Sequence, residues 1–370
     1  VHTTSLSGSS ISWFLAREFD KNADLGLAAL GTVADCLPLT GTNRSIVVHG
    51  LQSLNLNPSP GIKKLIQVSQ AKYPLSAYDL GFLLGPRINA VGRLADPTDA
   101  LRLLCSTDSL HASRYAQSLN SYNQDRQILQ KDSLEIAEAN IRKGGLPSAH
   151  TDRIVIVSGD FNPGIIGLLS GRLTEKYYLP SIVIAETENI SKGSCRSIPE
   201  INIIEVLREF SDLFVDLGGH AGAAGFSIKT SNIPQLKTKL TKYLNKKLAK
   251  VKLRPHIYQD AEMHLSAVNI TNIKAINKLA PFGIDNPEPQ FLFKNLKIVS
   301  KKLLGTTGDH LKLILACPPN CEAVGVGFKK GELDKILNIG DTIDLTATLS
   351  INEWNNTQTP QLIIKEINIP

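Results

Sequence analysis

The sequence predicts a multidomain α/β protein whose C-terminal third forms a small β-barrel. The chain has 370 residues, and domains of roughly 100 to 200 residues each would divide it into two or three. The segment RIVIVSGDFNPGIIGLLSGRLTEKYYLPSIVIAE (153–186) reads strand, loop, helix, strand, an order that favours a parallel α/β unit. After residue 256, short alternating apolar runs are separated by Gly, Asn, Pro and Asp, as in barrels.

Residues 1–107 are predicted to be mainly helical. Helical spacing runs through Ser9–Phe19, and two more helices are expected at 44–54 and 61–69. LGLAALGTVADCLPL (25–39) is compatible with a helix or a strand ending near Pro38. GFLLGPRINAVGRL (81–94) is predicted to be a loop, because two glycines and a proline, Gly85, Pro86 and Gly92, interrupt its periodicity.

A long polar helix from about Ser109 to Lys143, closed by Gly144, Gly145 and Pro147, is expected to connect two domains within 108–148. The second domain, 149–254, continues with a strand at GSCRSI, a helix at IIEVLREFSDLF, a glycine loop at LGGHAGAAGFS (217–227) and a Lys-rich helix. Residues 255–370 hold the strand-like runs FLFKNLKIV, LKLILAC, AVGVGF, TIDLTATLSINEW and PQLIIKEINI.

Charge and composition narrow the functional classes. A net charge of +6 makes a polyanionic partner plausible, since phosphate binding depends first on Lys and Arg. No apolar run of about 18 residues exists, and the chain opens without a secretory signal, so no membrane association and a cytoplasmic location are expected. The five cysteines are odd in number and scattered along the chain, which favours a reducing compartment over a disulfide framework. They include one close pair, Cys317 and Cys321, with no second pair or His cluster at zinc spacing, which disfavours a structural zinc.

Three separated motifs carry a family resemblance: ALGTVADCLPLTGTNR (29–44), GPRINAVGRL (85–94), and GSCRSI (193–198) with LGGHAGAAGFS. Together they resemble the RecJ branch of the DHH phosphoesterases, which are single-strand-specific 5′ to 3′ DNA exonucleases. PFGIDNPEPQF (281–291) and LSINEWNNTQTPQL (349–362) extend the resemblance through the chain. It implies that 1–107 are the remainder of a DHH-type α/β catalytic domain, 108–148 a connecting helix, 149–254 a DHH-associated α/β domain, and 255–370 an oligonucleotide-binding barrel.

The resemblance implies a divalent-metal cofactor, Mn²⁺ or Mg²⁺, with Asp35 of the GTVAD segment as a catalytic metal ligand. A carboxylate oxygen suits either hard cation. A lone Asp before Cys and Pro would otherwise be a helix cap or ion-pair partner. The family's early aspartates and its Asp-His-His motif are missing, since His2 is followed by Thr3 and Thr4. One carboxylate cannot hold two ions, so the front part of a catalytic domain is expected to be missing.

A phosphate-binding role is implied for the Ser-x-Arg segment and the GGH element. Ser194 and Arg196 would grip the terminal nucleotide's phosphate. Gly218 and Gly219 would let the backbone approach closely, and His220 would donate a hydrogen bond as negative charge develops. Read alone, these motifs also fit an ordinary strand-edge arginine and a histidine that satisfies a tight turn.

The GPRINAVGR segment would place two cations and an amide, Arg87, Arg93 and Asn89, on the nucleic-acid path. Bracing of the segment against a helix is the structural alternative. Where the family commonly has His-Pro-Gly, this chain has Asn162, Pro163 and Gly164, and an amide cannot move a proton. Four aromatic residues of the barrel are available for base stacking, although core packing suits most of them: Phe291, Phe293, Phe328 and Trp354.

The function implied is metal-dependent removal of nucleotides from the 5′ end of single-stranded DNA in repair and recombination, with protein partners unidentified. One alternative is an oligonucleotide or cyclic dinucleotide phosphodiesterase of the same superfamily, although a dinucleotide needs no extra barrel. Another is a non-catalytic single-strand-binding fragment, which the missing aspartates favour.

Overall fold

The computed structural model describes residues 5–143, 152–255, 257–317, 321–355 and 357–369. The predictions made for His2, Gly144, Gly145 and Pro147 lie outside these ranges. The chain divides into two compact units. The first takes in Val1–Asn57, Tyr73–Phe82 and His256–Pro370, and the second takes in Pro58–Lys72 and Leu83–Pro255.

The first unit begins with three helices, α1 (Gly8–Ala16), α2 (Leu25–Ala34) and α3 (Gly41–Leu56). The segment that the sequence left as helix or strand is therefore a helix. Asp24 caps α2, because its side chain accepts a hydrogen bond from the Gly26 amide at 2.8 Å. Small residues let α2 and α3 pack closely: a Cβ added at Gly50 would lie 2.4 Å from the Cβ of Ala29.

A distant part of the chain is tied to these helices. The guanidinium of Arg44 on α3 donates to the carbonyl oxygens of Ala280, at 2.7 Å, and Pro281, at 3.4 Å. The Leu39 amide donates to the Ile284 carbonyl at 2.7 Å. The first unit is thus assembled from segments more than two hundred residues apart, Arg44 and Ala280 being separated by 236 positions.

The second unit opens with α4 (Pro60–Ser69) and continues with α5 (Gly85–Leu94), α6 (Thr98–Leu104) and α7 (Ser109–Lys143). A π-helix over Asp79–Leu84 precedes α5, and most of its residues belong to the first unit. The loop predicted for 81–94 is wrong, because its first four residues lie in the π-helix and its last ten form α5. Pro86 lies in the first turn, where its missing amide hydrogen costs nothing. Gly92 costs about 1 kcal/mol relative to Ala, which burial of Ala90 and Val91 offsets.

Helix α7 runs over the residues predicted for it and packs against α4, α5 and α6. Its buried positions include Ala112, Ala116 and Leu119, whose spacing of three and four residues forms one helix face. Further along, Ala137 and Ile141 join the core of the neighbouring sheet. The same helix therefore belongs to both a helical layer and an α/β layer of the second unit.

The α/β layer contains β1 (Val155–Gly159), α8 (Ile166–Tyr177), β2 (Ser181–Ala185), β3 (Ile190–Arg196), α9 (Ile203–Arg208), β4 (Phe214–His220), β5 (Ala223–Lys229) and α10 (Ile233–Lys247). The strand order is β1-β2-β3-β5-β4. Only β1 and β2, joined through α8, are parallel; the remaining pairs are antiparallel. The expected parallel unit is thus limited to one crossover. The connections from β2 to β3 and from β4 to β5 are too short to return a strand in parallel, whereas β3 and β4 are joined through α9 but are not neighbours in the sheet.

Two helical layers cover opposite faces of this sheet. Helix α8 packs its apolar face on β1 and β2, with Val183 and Ala185 in the shared core. On the other face, α9 and α10 cover Cys195, Ala224 and Phe226. The glycine loop predicted at 217–227 is wrong, because it is the β4–β5 hairpin. The helix predicted at IIEVLREFSDLF ends at Arg208, and β4 begins at its last residue, Phe214.

The C-terminal segment carries β6 (Ala261–Glu262), α11 (Ile270–Ile276), β7 (Phe291–Leu304), β8 (His310–Cys317), β9 (Cys321–Gly327), β10 (Thr342–Trp354) and β11 (Thr357–Asn368). Strand β10 pairs with both β11 and β7, which closes β7, β8, β9, β11 and β10 into a five-stranded barrel. Alternate residues of these strands point inward, so that Leu311, Leu313 and Leu315 are all buried. The predicted barrel is confirmed.

Cys317 and Cys321 face each other across the β8–β9 pair and form a disulfide. This disulfide departs from the expectation of a reducing compartment without a disulfide framework, because the sequence does not reveal that the two positions pair across a hairpin. Cys195 is buried in the sheet core, and burial raises the pKa of its thiol. None of the helices in the described ranges combines the length and apolar character needed to span a bilayer.

Candidate nucleic-acid site

Three adjacent strands of the second unit bring the predicted phosphate-binding residues onto one face. Arg196 on β3 is opposite Ala223 on β5, which is opposite His220 on β4. Two residues along, Ser194 is opposite Gly225, which is opposite Gly218. Directly opposed residues in antiparallel strands point to the same side. These six residues therefore share one face, and strand spacing places the Arg196 and His220 backbones about 10 Å apart.

Helix α8 covers only one part of this face. A Cβ added at Gly167 would lie 3.2 Å from Ser194 Oγ and 3.9 Å from an Arg196 guanidinium nitrogen. A Cβ added at Gly218 would meet nothing within 4 Å, and one at Gly225 only a carbonyl oxygen at 3.9 Å. We call the uncovered part of this face the open face; it is formed by Ala223, Gly225, Gly218 and His220. Apart from His220, its residues are small. A bulky anion can approach its backbone closely.

Gly219 has a different role from its neighbour Gly218. Its φ of +152° is rarely adopted by residues with a side chain. A Cβ there would lie 2.4 Å from the Ala223 carbonyl oxygen and 2.6 Å from the Ala224 Cα. Gly219 is therefore required by the hairpin, whereas Gly218 leaves space for a ligand.

The turn of the hairpin positions His220. The amides of Ser197 and Ile203 donate to the carbonyls of Gly222 and Ala221, both at 3.0 Å. The Gly222 amide donates to His220 Nδ1 at 3.3 Å, and the ring is exposed. With Nδ1 accepting, Nε2 carries the proton in the neutral ring. His220 thus offers a donor at the edge of the open face.

Helix α5 adds cations beside the same face. The Arg93 guanidinium donates to the Gly164 carbonyl at 3.2 Å. Burial first, and the nearby charge of Arg196 second, lower the pKa of Arg93. Arg93, Gly164 and the Ser194–Arg196 segment are thus brought together. The Asn162 side chain accepts from the Gly164 amide at 2.8 Å, so it braces the turn before α8.

Arg87 and Asn89 differ in their surroundings. Arg87 is half-buried and donates to Asn120 Oδ1 at 2.9 Å and to the Leu83 carbonyl at 2.7 Å. It therefore braces α5 against α7, which was the structural alternative, while keeping its charge. Asn89 is exposed. The placement of Asn89 gives no further support to its predicted role.

Asp35 belongs to the first unit, where it is exposed and directly follows α2. Within the described ranges, the one group of three or more His, Cys, Asp or Glu side chains close enough to share an ion is His264, Cys317 and Cys321. The two sulfurs of that group are bonded to each other, and Asp35 is not in it. These residues do not fit a two-ion centre, because Asp35 offers at most one of its carboxylate ligands.

Two domain families match the chain. Residues 151–246 match the DHHA1 domain, and residues 259–366 match the RecJ OB domain. The single-stranded-DNA-specific exonuclease RecJ of Bacillus subtilis (strain 168) is 34% identical over 345 residues, which cover 92% of this chain and 43% of that protein. The chain is homologous to the RecJ exonucleases. The Escherichia coli (strain K12) RecJ is 30% identical over 93% of this chain and 60% of its own length.

A solved RecJ structure has the same architecture. The Thermus thermophilus RecJ in complex with Mn²⁺ superposes with a TM-score of 0.82 at 26% identity, covering 97% of this chain and 52% of that one. Its Mg²⁺ complex gives a TM-score of 0.81. The α/β fold with a C-terminal oligonucleotide-binding barrel is thus confirmed. The chain spans about half the length of the RecJ relatives that it matches.

In the RecJ OB domain, the four aromatic side chains separate into two pairs. Phe291 and Phe293 are buried in the barrel core, which confirms packing as their role. Phe328 and Trp354 are 56% and 74% exposed. Phe328 also packs edge-on against His310, with ring centroids 5.4 Å apart. These two exposed aromatic rings are therefore available for stacking with bases.

Sequence reasoning missed one residue of the second unit, Arg126, which the structure places beside Arg93. Arg126 on α7 is half-buried, and its pKa is lowered first by burial and then by the charges of Arg93, Arg172 and Arg87. The available signal was a polar stripe along α7, formed by Asn120, Asn123, Arg126 and Gln130. Polar residues at such spacing usually face solvent, so the stripe was not recognised.

Proposed function

We propose that the protein functions in single-strand-specific 5′ to 3′ exonucleolytic hydrolysis of DNA, with Mn²⁺ or Mg²⁺ as cofactor, in repair and recombination. The names of its homologues support nuclease activity. The observation that carries the proposal is the alignment of Ser194, Arg196 and His220 around a glycine floor. We also propose a cytoplasmic location, where such DNA would be the substrate, and repair or recombination proteins as partners.

In this proposal Ser194 and Arg196 hold the terminal 5′ phosphate. A guanidinium can form two parallel bonds to phosphate oxygens, and a hydroxyl adds a third donor. Gly218 and Gly225 leave the floor open for the sugar-phosphate chain. Arg93 supplies further positive charge next to Arg196, and Arg87 and Asn89 are proposed to contact the backbone beyond it.

His220 is proposed to donate a hydrogen bond to a phosphate oxygen as negative charge grows there during hydrolysis. A preorganised donor of this kind stabilises the transition state more than the bound substrate. The ring is exposed and its Nδ1 is already engaged, so that Nε2 is available. Gly219 is assigned an indirect role, since it holds the hairpin that carries His220.

Asp35 is proposed as one carboxylate ligand of the metal. The ions would supply an activated water and charge stabilisation when bound. The described residues provide no further carboxylate cluster around Asp35. The remaining ligands must therefore come from residues outside the described set, and cleavage is proposed only for a protein that contains them.

Binding and cleavage should be tested separately. Fluorescence anisotropy should show that this chain binds a long 5′-phosphorylated single strand more tightly than its 5′-hydroxyl counterpart, and that Arg196→Gln removes the difference. Labelled DNA with Mn²⁺ should show little cleavage by this chain. Equal affinity for the two 5′ ends in the unmodified chain would refute the terminal-phosphate assignment.

A second candidate function, single-strand binding without hydrolysis, is favoured because, within the described ranges, Asp35 belongs to no group of three or more side chains that could share an ion. The two candidates separate in a form of the protein extended to the full length of its RecJ relatives. Cleavage of a long single strand by that form would exclude a pure binding role. Equal turnover of a dinucleotide and a long strand would instead favour the phosphodiesterase alternative.

A further inference from the structure

Four arginines of the second unit form what we call the arginine row: Arg196 on β3, Arg93 and Arg87 on α5, and Arg126 on α7. Arg87 donates to Asn120 and Arg126 to Asn123, one turn further along α7. Arg93 donates to the Gly164 carbonyl, and a Cβ at Gly167 would lie 3.9 Å from the Arg196 guanidinium. In keeping with this placement, Arg196 lowers the pKa of Arg93, and Arg93 and Arg87 lower that of Arg126. Bringing like charges together out of bulk water costs free energy. Such an arrangement calls for an opposing negative charge.

No side chain in the described ranges provides that negative charge. None of the four guanidiniums has a carboxylate within 4.0 Å among the ion pairs of these ranges, whereas the adjacent Arg172 pairs with Glu175 at 2.8 Å. The arginine row therefore keeps its full positive charge in the unbound protein.

Neutral oxygens hold the guanidinium of Arg126 in place. It donates to Gln130 Oε1 at 2.9 Å and to Asn123 Oδ1 at 2.7 Å, and Asn123 is itself buried. Amide and carbonyl acceptors orient the guanidinium without neutralising it. A guanidinium has more N–H donors than these two bonds use, so Arg126 can also bind an anion.

We infer that Arg126, with Arg87 and Arg93, forms a second phosphate subsite, which binds the internucleotide phosphate next to the terminal phosphate held by Ser194 and Arg196. This inference rests on the proposed function, since it extends the path of the same strand. A row of cations matches the regularly spaced charges of a sugar-phosphate backbone. Ser194 and Arg196 would register the end of the strand, and Arg126 would select for a continuing chain.

The test compares 5′-phosphorylated deoxythymidine ligands of increasing length, a mononucleotide, a dinucleotide and a dodecamer, binding to the chain in EDTA. Arg126→Gln should leave affinity for the mononucleotide unchanged and weaken the two longer ligands about tenfold, a typical loss for one charged hydrogen-bonded contact. The slope of log K against log salt should fall by about 0.7 for the dodecamer. Arg114→Gln, an exposed position on the same helix, is the matched control and should change neither value.

Thermal unfolding without DNA separates a ligand site from a structural brace. Arg126→Gln removes one of several neighbouring like charges but also the bond to the buried Asn123 oxygen, so its melting temperature should change little. A clear fall in melting temperature, or equal binding losses for the mononucleotide and the dodecamer, would overturn the inference. Arg126→Lys, which keeps the charge but not the two-pronged geometry, should fall between the unmodified protein and Arg126→Gln.

Failure of the proposed function has a different signature. If Arg196→Gln does not weaken the mononucleotide, the terminal-phosphate site is wrong whatever Arg126 does. If Arg196→Gln weakens all three ligands while Arg126→Gln weakens none, only the second subsite is wrong.

Discussion

Substitution of two consecutive glycines by alanine should have opposite consequences. At Gly219 the φ is +152°, and holding a residue with a side chain in such a region costs about 1 to 3 kcal/mol. The added Cβ would lie 2.4 Å from the Ala223 carbonyl oxygen and 2.6 Å from the Ala224 Cα, well inside the contact distance of about 3.5 to 4.0 Å. Backbone atoms cannot turn away, and overpacking adds about 1 to 3 kcal/mol. Gly219→Ala should therefore destabilise the hairpin by about 2 to 6 kcal/mol.

Gly218→Ala should not destabilise the protein. Its Cβ would meet nothing within 4 Å, and a less flexible unfolded chain stabilises by up to about 1 kcal/mol. The methyl group would instead occupy the open face opposite Gly225, so affinity for a 5′-phosphorylated single strand should fall about tenfold, or about 1.4 kcal/mol.

Calorimetric melting and anisotropy titration of both variants measure these two effects. A Gly218→Ala protein that melts early, or one that binds DNA as well as the unmodified chain, would refute the assignment of the open face. A Gly219→Ala protein as stable as the unmodified chain would show that the hairpin geometry described here is wrong.

Three further predictions concern single side chains. Arg196→Lys keeps a charge but loses two-pronged binding, so affinity for a 5′-phosphorylated strand should fall about tenfold while affinity for a 5′-hydroxyl strand is unchanged; parallel titrations check this, and equal losses would contradict it. In a form of the protein that cleaves DNA, His220→Ala should lower turnover about 100-fold or more with little change in DNA affinity, as single-turnover kinetics would measure; equal losses in both would remove His220 from the chemistry. Burial raises the pKa of Glu288, so its contribution to stability is fully present below its unfolded-state pKa and is lost as pH rises through the folded value. Glu288→Gln should therefore raise the free energy of unfolding at neutral pH by less than about 1 kcal/mol, because solvent still screens the half-buried group; the gain should vanish at low pH, and a gain independent of pH would contradict this cause.

The sequence predicted elements well where local pattern and tertiary packing agree. Helix α7 has its predicted bounds, because a long polar segment with apolar residues on one side is stable only as a helix packed along that side. The prediction failed at α5, where Gly85, Pro86 and Gly92 were interpreted as loop residues. Proline in a first turn begins a helix, and burial of Ala90 and Val91 sustains it.

The candidate site was only partly visible in the sequence. The motifs singled out Ser194, Arg196 and His220, but cross-strand register, which the sequence does not reveal, is what places them on one face. Arg126 lies outside all the motifs that the sequence analysis identified. Its significance comes from Arg93 and Arg87, which lie more than thirty positions earlier and are brought to it by the packing of α5 on α7.

The bonds from Arg44 to the segment around Ala280 have a consequence for synthesis of the protein. All of the second unit lies within residues 58–255, a range interrupted only by the segment at 73–82 that belongs to the first unit, so the second unit can form while later residues are still being made. Helices α1–α3 are made before the second unit, but their bonds to residues 280–284 can form only after that unit has been made. During that interval α1–α3 lack these packing partners, and incompletely packed intermediates of this kind are prone to aggregate.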